Sequence, residues 1–270
     1  MSEIFTTIFV SDSRGKGIDD FVGNHPTPVN HQYVFVIRPG KSLAQLTPAI
    51  IDTINSHDIN KLYCIVSAGI CGLTDKTRVK GKLALRYKSI FRDEKVTTNI
   101  DVAKFLKSSY GDKINICSII PADLVKYYQF HNRDSVIPEF LVQEQLALEE
   151  DVETINKVLL DLNSISVTNI NLSSRLQTKS KKRRQRSGAK IVYRRVSKFV
   201  YTRLTDGVHY SPDLRNLLFG LIIDTAIRDI TSTLAHSQPE EAHRQQPRPV
   251  GLRGLRVVIE NDQTTDSDSD

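Results

Sequence analysis

A polar stretch near the amino terminus contains the first residue that could take part in chemistry. The apolar run 4–10 gives way to Ser11, Asp12 and Ser13, a change that predicts a buried parallel strand opening into a loop. In open α/β sheets, chemistry collects just beyond the carboxyl ends of the strands. We therefore expect Ser13 to lie at such an end, although the same three residues are also common in ordinary turns.

A second polar stretch, 205–212, lies far along the chain and precedes a strongly apolar helical pattern. It contains Asp206 and His209, which are three residues apart. Gly40 and Cys71 occupy two further short stretches, after the second and third predicted strands. Taken one at a time, these residues are better explained as loop and turn residues, so their significance depends on their order in the fold.

Predicted strands and helices alternate along the chain. The strands are apolar runs that end in turn residues, at 4–10, 33–37, 61–68, 114–120 and, more weakly, 166–172. The helices have apolar residues at helical spacing, at 43–54 behind a Ser42 N-cap, at 99–110, at 139–162 and from Pro212 onward; the charged segment 74–95 receives no assignment. This alternation predicts an α/β fold, a three-layer α/β/α sandwich with a flavodoxin-like parallel sheet of about five strands.

The order of the polar stretches resembles that of the SGNH hydrolases, also called the GDSL esterase family. Members of that family have a Gly-Asp-Ser block, a glycine after the second strand, a Gly-x-Asn-Asp block after the third and an Asp-x-x-His block before the last helix. The matching stretches here are Ser11-Asp12-Ser13, Gly40, Gly69-Ile70-Cys71 and Asp206-Gly207-Val208-His209. The similarity covers 5–233 without the basic insertion and implies the same sandwich fold. The weakened third block and the basic insertion also resemble SGNH-like domains of mobile elements or viruses.

The resemblance implies a hydrolase that cleaves an ester of a short acyl or acetyl group. A serine hydroxyl is a poor nucleophile until a neighbouring imidazole accepts its proton. Ser13 would be the nucleophile, His209 the base, and Asp206 the carboxylate that orients the imidazole. The oxyanion hole would consist of the backbone N–H groups of Ser13 and Gly40 together with Cys71, which replaces the family's asparagine.

Two departures from the family pattern bear on catalysis. Cys71 offers only a weak thiol donor, and Ser11 stands where the family has glycine. Loss of one oxyanion donor typically lowers turnover by about 100- to 1,000-fold. The sequence therefore leaves open an active esterase and a catalytically impaired module of the same fold. A Cys71 nucleophile with His209 as its base is a third alternative.

The charge is unevenly distributed along the chain. The net charge is +6, from 37 basic and 31 acidic residues; a basic insertion lies around 177–190, whereas 262–270 is acidic and rich in serine. The basic residues of the densest run are Lys179, Lys181, Lys182, Arg183, Arg184 and Arg186. Such a run is typical of a site for nucleic acid or another polyanion, of a nuclear localisation signal, or of a solvated loop. An impaired module would use it to bind the polyanion.

The composition limits the class of protein. With 270 residues, of which 39% are hydrophobic and 25% charged, the chain is similar to an ordinary soluble globular protein. No apolar run approaches the roughly 18 residues of a membrane span, and no secretory signal is recognisable. The three cysteines favour neither a disulfide framework nor a zinc site. We expect an intracellular protein, cytoplasmic or nuclear, without cofactor or metal, with one domain over 1–233 and a disordered tail over 234–270.

Overall fold

Strands and helices alternate along most of the chain. The computed structural model describes residues 4–24, 30–87, 92–163, 170–178, 181–187, 190–196 and 199–237. The strands are β1 (Phe5–Ser11), β2 (His31–Ile37), β3 (Leu62–Ser67), β4 (Asp75–Val79), β5 (Lys82–Arg86), β6 (Ile114–Ile116), β7 (Lys181–Ser187) and β8 (Lys190–Val196). The α-helices are α1 (Leu43–Asn55), α2 (Ile70–Leu73), α3 (Arg92–Tyr110), α4 (Leu124–His131), α5 (Glu139–Asn163) and α6 (Pro212–Ser237).

A parallel sheet of four strands forms the centre of the fold. The strand order is β2-β1-β3-β6, and every neighbouring pair is parallel. This is the order of a flavodoxin-like, doubly wound sheet. β1 and β3 are buried along almost their whole length, as strands covered on both faces are, and such strands have continuous apolar runs in the sequence. The predicted fold class is confirmed.

Two hydrophobic cores cover the two faces of the sheet. Along β1, Ile8 and Val10 belong to one core and Phe9 to the other, as the two-residue period of a strand requires. The first core is completed by α1, α3, α4 and α5, and the second by α6. In the second core, the ring of Phe219 on α6 lies 6.2 Å from the ring of Phe35 on β2. A helical layer on each face makes this a three-layer sandwich.

Ser42 begins α1 with a capping box. Its hydroxyl accepts a hydrogen bond from the N–H of Gln45 at 3.3 Å, and the Gln45 side chain accepts one from the N–H of Ser42 at 2.9 Å. The predicted N-cap is therefore confirmed. Because α1 starts directly after the turn that contains Gly40, this cap fixes where the loop from β2 ends.

The charged segment 74–95, to which the sequence assigns no structure, contains regular elements. It forms the antiparallel pair β4–β5 and the first turn of α3, so that this helix begins at Arg92 instead of at 99. The guanidinium of Arg92 lies 2.9 Å from a carboxylate oxygen of Glu150 and 2.6 Å from one of Asp151, both on α5. These contacts between distant residues stabilise a helix start that local periodicity does not reveal.

The fifth predicted strand, 166–172, is not a strand where the structure describes it. Residues 166–169 lie outside the described residues, and 170–172 have no strand conformation. The fourth predicted strand, 114–120, is shortened to β6, although the N–H of Cys117 still donates to the carbonyl oxygen of Val66 at 2.8 Å. The central sheet therefore has four strands within the described residues rather than about five.

The basic insertion forms an antiparallel hairpin. The pairing of β7 with β8 runs from Lys181 opposite Val196 to Ser187 opposite Lys190. Lys179 lies outside the described residues. Over the two strands the insertion is therefore a β-ribbon in place of the loop that the sequence also allowed.

The last helix extends further than predicted. Because α6 ends at Ser237, residues 234–237 are helical rather than part of the predicted tail, and 238–270 lie outside the described residues. Throughout the described ranges, no helix has the length and apolar character needed to cross a bilayer.

Candidate active site

The turn after β1 places Ser13 at the edge of the sheet. Ser11 ends the strand, and its hydroxyl donates a hydrogen bond to the carbonyl oxygen of Ser67 on β3 at 2.7 Å. Asp12 then caps a 3₁₀ turn, Ser13–Gly15, by accepting a hydrogen bond at 3.0 Å from the backbone N–H two residues later. Ser13 is half-buried. The serine at position 11, where the resemblance expects glycine, is accommodated because its buried hydroxyl has a partner.

Asp206 and His209 form a directly bonded pair. Asp206 Oδ2 lies 2.7 Å from His209 Nδ1, and Asp206 Oδ1 accepts hydrogen bonds from the N–H groups of Val208 at 2.9 Å and His209 at 2.8 Å. The N–H of Thr205 donates to the carbonyl oxygen of His209 at 2.8 Å and closes the loop. One carboxylate therefore shapes the loop and favours the imidazole tautomer with its proton on Nδ1, which leaves the Nε2 lone pair to accept a proton.

The surroundings of Asp206 keep its carboxyl ionised. Burial acts to raise its pKa, but the hydrogen bonds from the backbone and imidazole of His209 and from the N–H of Val208 outweigh it and lower the pKa to about 2. Hydrogen bonds to the charged form of a carboxyl favour that form. At neutral pH, Asp206 is thus a carboxylate able to stabilise a protonated imidazole.

The loop 205–210 docks on the segment between β6 and α4. The carbonyl oxygen of Gly207 accepts a hydrogen bond from the N–H of Asp123 at 2.8 Å, and Gly207 has a φ of +90°. A Cβ at this position would lie 2.5 Å from the carbonyl oxygen of Asp123 and 2.8 Å from the backbone nitrogen of Tyr127. Glycine is required here by the positive φ and by the close backbone approach. This docking holds the loop at the carboxyl edge of the sheet.

The turn after β1 and the loop 205–210 meet at this edge. The guanidinium carbon of Arg14 lies 5.4 Å from the ring centroid of Tyr210, and Arg14 Nη1 donates to the carbonyl oxygen of Ile120. Burial raises the pKa of Asp12, and the nearby charges of Arg14 and His209 act in the opposite direction. Residues from distant parts of the chain are therefore neighbours at one edge of the sheet.

The Ser13 hydroxyl has no hydrogen bond to His209 within the residues that the structure describes. The His209 side chain is 43% exposed and Ser13 is half-buried, so solvent reaches both. Contacts between a catalytic serine and its base are often loose without substrate. The proton transfer between the two side chains stays a prediction.

The two other predicted oxyanion donors differ in their surroundings. Gly40 lies in an exposed turn after β2 with a φ of +73°. Cys71 lies on α2, close enough to the buried Asp12 carboxyl for the two groups to influence each other's pKa. Burial, reinforced by the charge of Asp12, raises the pKa of Cys71 to about 12. This disfavours the thiolate that a Cys71 nucleophile would need. The role of Cys71 in an oxyanion hole stays a prediction.

Sequence reasoning missed a buried charged cluster beneath Ser13. Asp12 is fully buried and Arg14 is 3% exposed. In the described residues, Asp12 Oδ2 and the Nε and Nη2 atoms of Arg14 have no hydrogen-bond partner, and a cavity of about 10 Å³ between them is lined also by Ser118 and Tyr210. That volume is close to the minimum for one water. No sequence signal marks the cluster, because arginine is usually exposed.

Among the described residues, no group of three or more His, Cys, Asp or Glu side chains is arranged to hold a metal ion. The arrangement at the carboxyl edge offers a hydroxyl, an imidazole and a carboxylate, which are the groups of nucleophilic acyl transfer.

Two solved structures show a distant likeness to this chain. No protein-family model matches the chain, and no curated protein does. The fold is similar to a lipase/acylhydrolase from Enterococcus faecalis, with 13% identity, 88% of this chain and 100% of that chain covered, and a TM-score of 0.49. It is also similar to the acetyl xylan esterase AlAXEase, with 11% identity, 84% and 100% covered, and a TM-score of 0.36. Likenesses this distant carry no weight for the chemistry, which must be argued from the site.

Replacing Gly207 with Ala should destabilise the protein and displace the His209 loop. The positive φ and the approach to the Asp123 carbonyl oxygen both penalise a Cβ, and we expect a loss of about 1–3 kcal/mol in the free energy of unfolding. The matched control is Gly81→Ala, where φ is +78° but nothing lies within 4 Å of the added Cβ. Urea unfolding measures both variants, and equal losses would contradict the docking of the loop.

Replacing Asp206 with Asn should remove a pH-dependent part of the stability. The folded pKa of about 2 lies below the ordinary 3.8, so the ionised carboxyl stabilises the fold above pH 3.8 and this stabilisation is lost as pH falls through about 2. The free energy of unfolding of Asp206→Asn should therefore be about 2 kcal/mol lower than that of the wild type near neutral pH. This difference should disappear as the pH is lowered. Asp101→Asn, at an exposed position on α3, is the control. A difference that stays constant with pH would contradict this account.

Proposed function

We propose that this protein is a serine esterase of the SGNH type that cleaves a short acyl or acetyl ester. The observation that carries the proposal is the Asp206–His209 contact of 2.7 Å, held at the same edge of the sheet as the turn of Ser13. A carboxylate bonded to Nδ1 orients the imidazole and stabilises its protonated form. The low pKa of Asp206 keeps that carboxylate charged at neutral pH.

In the proposed reaction, His209 Nε2 takes the proton of Ser13 Oγ while this oxygen attacks the ester carbonyl carbon. A C–O bond forms, and the carbonyl π electrons move to the oxygen, where the N–H groups of Ser13 and Gly40 would stabilise the charge. When the intermediate collapses, the bond to the alcohol breaks and His209 gives its proton to the leaving oxygen. Water then attacks the acyl-serine with His209 again as base, which releases the acid and restores Ser13.

Purified protein should release p-nitrophenol from p-nitrophenyl acetate, and Ser13→Ala should lower that rate by about 1,000-fold or more, since it removes the nucleophile. His209→Ala should have a similar effect. Ser108→Ala, on the exposed part of α3, is the matched control and should keep the wild-type rate. Unchanged hydrolysis by Ser13→Ala would contradict the assignment of Ser13 as the nucleophile.

The basic hairpin supports a second function, the binding of nucleic acid through its phosphates. Five of the seven residues of β7 and three of the seven of β8 are Lys or Arg, and none is acidic. The register places Lys182 opposite Arg195, and Arg183 opposite Arg194. Like charges in directly opposite positions destabilise a strand pair, so phosphates would stabilise this one. A two-stranded ribbon also fits the major groove of B-form DNA.

Replacing Lys182, Arg184 and Arg186 with Gln should weaken the binding of a generic DNA duplex. The slope of log K against log salt should fall by about 0.9 for each phosphate that the variant no longer neutralises. Gln at the exposed positions Arg78, Lys80 and Lys104 removes the same charge elsewhere and is the matched control. Fluorescence anisotropy over a salt series measures both proteins. Salt-independent binding, or an equal decrease in affinity in the control, would contradict this function.

A further inference from the structure

The groups of the proposed reaction lie in an open part of the surface. Ser13 is half-buried, Gly40 is exposed and the side chain of His209 is 43% exposed. The cavity that Asp12 and Arg14 line has a volume of about 10 Å³, which is close to the size of one water and far below the roughly 300–1,000 Å³ of small-ligand pockets. A short acyl group therefore gains little binding energy from this cavity.

Binding energy from parts of a substrate that are remote from the reacting bond can supply what an open site lacks. The basic hairpin β7–β8 offers such a remote anchor for an anion. Eight of its fourteen residues are Lys or Arg, and none is acidic. This anchor can serve the reaction only if the hairpin lies within reach of the loop that carries His209.

The base of the hairpin is joined to the body of the protein. Gln177, before β7, forms an antiparallel bridge with Phe199, after β8. The N–H of Val200 donates to the carbonyl oxygen of Leu176 at 2.6 Å, and Phe199 packs in the second hydrophobic core. The hairpin therefore extends from a base that the core holds in place.

The same base lies beside the loop of His209. Leu204 forms an antiparallel bridge with Tyr210, the residue that follows His209. Leu204 follows Val196, the last residue of β8, by eight residues, which limits the distance between the two to about 28 Å. Because a nucleic-acid duplex rises by about 3.4 Å for each base pair, about eight base pairs cover that distance.

A series of contacts continues from this base to Ser13. The carbonyl oxygen of Arg203 accepts a hydrogen bond from the N–H of Ser211 at 2.9 Å, and Arg215 Nη1 donates to the carbonyl oxygen of Lys16 at 2.9 Å. The N–H of Lys16 donates to the carbonyl oxygen of Ser13 at 3.3 Å. The base of the hairpin and Ser13 are therefore connected through the start of α6.

The exposed charges between the hairpin and Ser13 are mixed. Lys16 and Arg203 are exposed and basic, whereas Asp20 and Asp213 are exposed and acidic. These opposite charges largely offset one another. The attraction for a polyanion therefore comes from the hairpin, and the surface between the hairpin and Ser13 does not repel it.

We propose that the ester cleaved at Ser13 is carried by a polynucleotide, whose phosphates bind the hairpin β7–β8 while its acylated terminal sugar hydroxyl lies at Ser13. The inference rests on the proposed esterase and phosphate-binding functions and joins them in one activity. After attack by Ser13 Oγ, the acyl C–O bond to the sugar oxygen breaks and His209 gives its proton to that oxygen. Water then hydrolyses the acyl-serine and releases the acid.

The test compares two substrates that have the same ester bond. One is a DNA duplex of about 12 base pairs with an acetyl ester on one 3′-terminal hydroxyl, and the other is 3′-O-acetylthymidine, which has no phosphates. The kcat/KM of the wild-type protein should be at least about 100-fold higher for the duplex ester at about 50 mM salt. This ratio should fall by at least about 10-fold at about 200 mM salt. A ratio near one, or a ratio that does not change with salt, would overturn the inference.

The hairpin variant with Gln at Lys182, Arg184 and Arg186 should have a ratio at least about 10-fold lower than that of the wild type, because it neutralises fewer phosphates. The matched control removes the same charge at exposed positions outside the hairpin and should keep the wild-type ratio, with Gln at Arg78, Lys80 and Lys104. Since each ratio is taken within one protein, a general loss of activity does not alter it. An unchanged ratio in the hairpin variant, or an equal decrease in the control, would contradict the role of the hairpin.

Two further measurements separate this inference from the functions on which it rests. Unmodified duplex added to 3′-O-acetylthymidine should not raise the rate, because the advantage requires the ester and the phosphates on one molecule. A higher rate would indicate activation by DNA and would overturn the inference. Hydrolysis of p-nitrophenyl acetate without any preference for the duplex ester would overturn this inference alone, whereas no hydrolysis of any ester would overturn the proposed esterase as well.

Discussion

The common end of three parallel strands is the constraint on which the site depends. β1 lies between β2 and β3, and Ser11 pairs with Ile37 on one side and with Ser67 on the other. The loops that follow these three strands therefore start next to one another at the same edge of the sheet. The N–H of Arg38 extends the pairing by donating to the carbonyl oxygen of Ser11 at 2.9 Å. A shift of one residue in the strand pairing would turn Phe9 and its neighbours toward the opposite faces of the sheet. The packing of both hydrophobic cores disfavours such a shift.

Buried charge then ties the turn after β1 to the loop near the last helix. Arg14 is almost fully buried, and an unpaired charge in that position would be strongly unfavourable. Its contacts are the carbonyl oxygen of Ile120 and the face of Tyr210, which follows His209 directly. Movement of the loop away from the edge would remove one of these contacts and leave a buried guanidinium with less compensation. Electrostatics and packing thus hold His209 near the turn of Ser13 without any direct bond between the two.

The parts of the fold that could be predicted from the sequence are those with local causes. β1 and β3 are buried on both faces and have continuous apolar runs, and the capping box of Ser42 is visible as a residue pattern. The β4–β5 and β7–β8 hairpins lack such runs, because polar and charged residues occupy most of their positions. The order of Ser13, Gly40, Asp206 and His209 is visible in the sequence, whereas the burial of Arg14 arises from tertiary contacts that no spacing encodes.

The presence of a cysteine at position 71 changes what the proposed reaction requires of the backbone. A thiol is a weak hydrogen-bond donor, so Cys71 would stabilise an oxyanion less than an asparagine side chain would. The remaining donors would be the N–H groups of Ser13 and Gly40, which belong to the main chain and do not depend on side-chain identity. A cysteine where the SGNH pattern has asparagine is then compatible with slow turnover in the proposed reaction, because one strong donor is missing and those two remain. The rate of the proposed enzyme would depend on how rigidly the turn after β1 and the exposed turn of Gly40 hold these two groups.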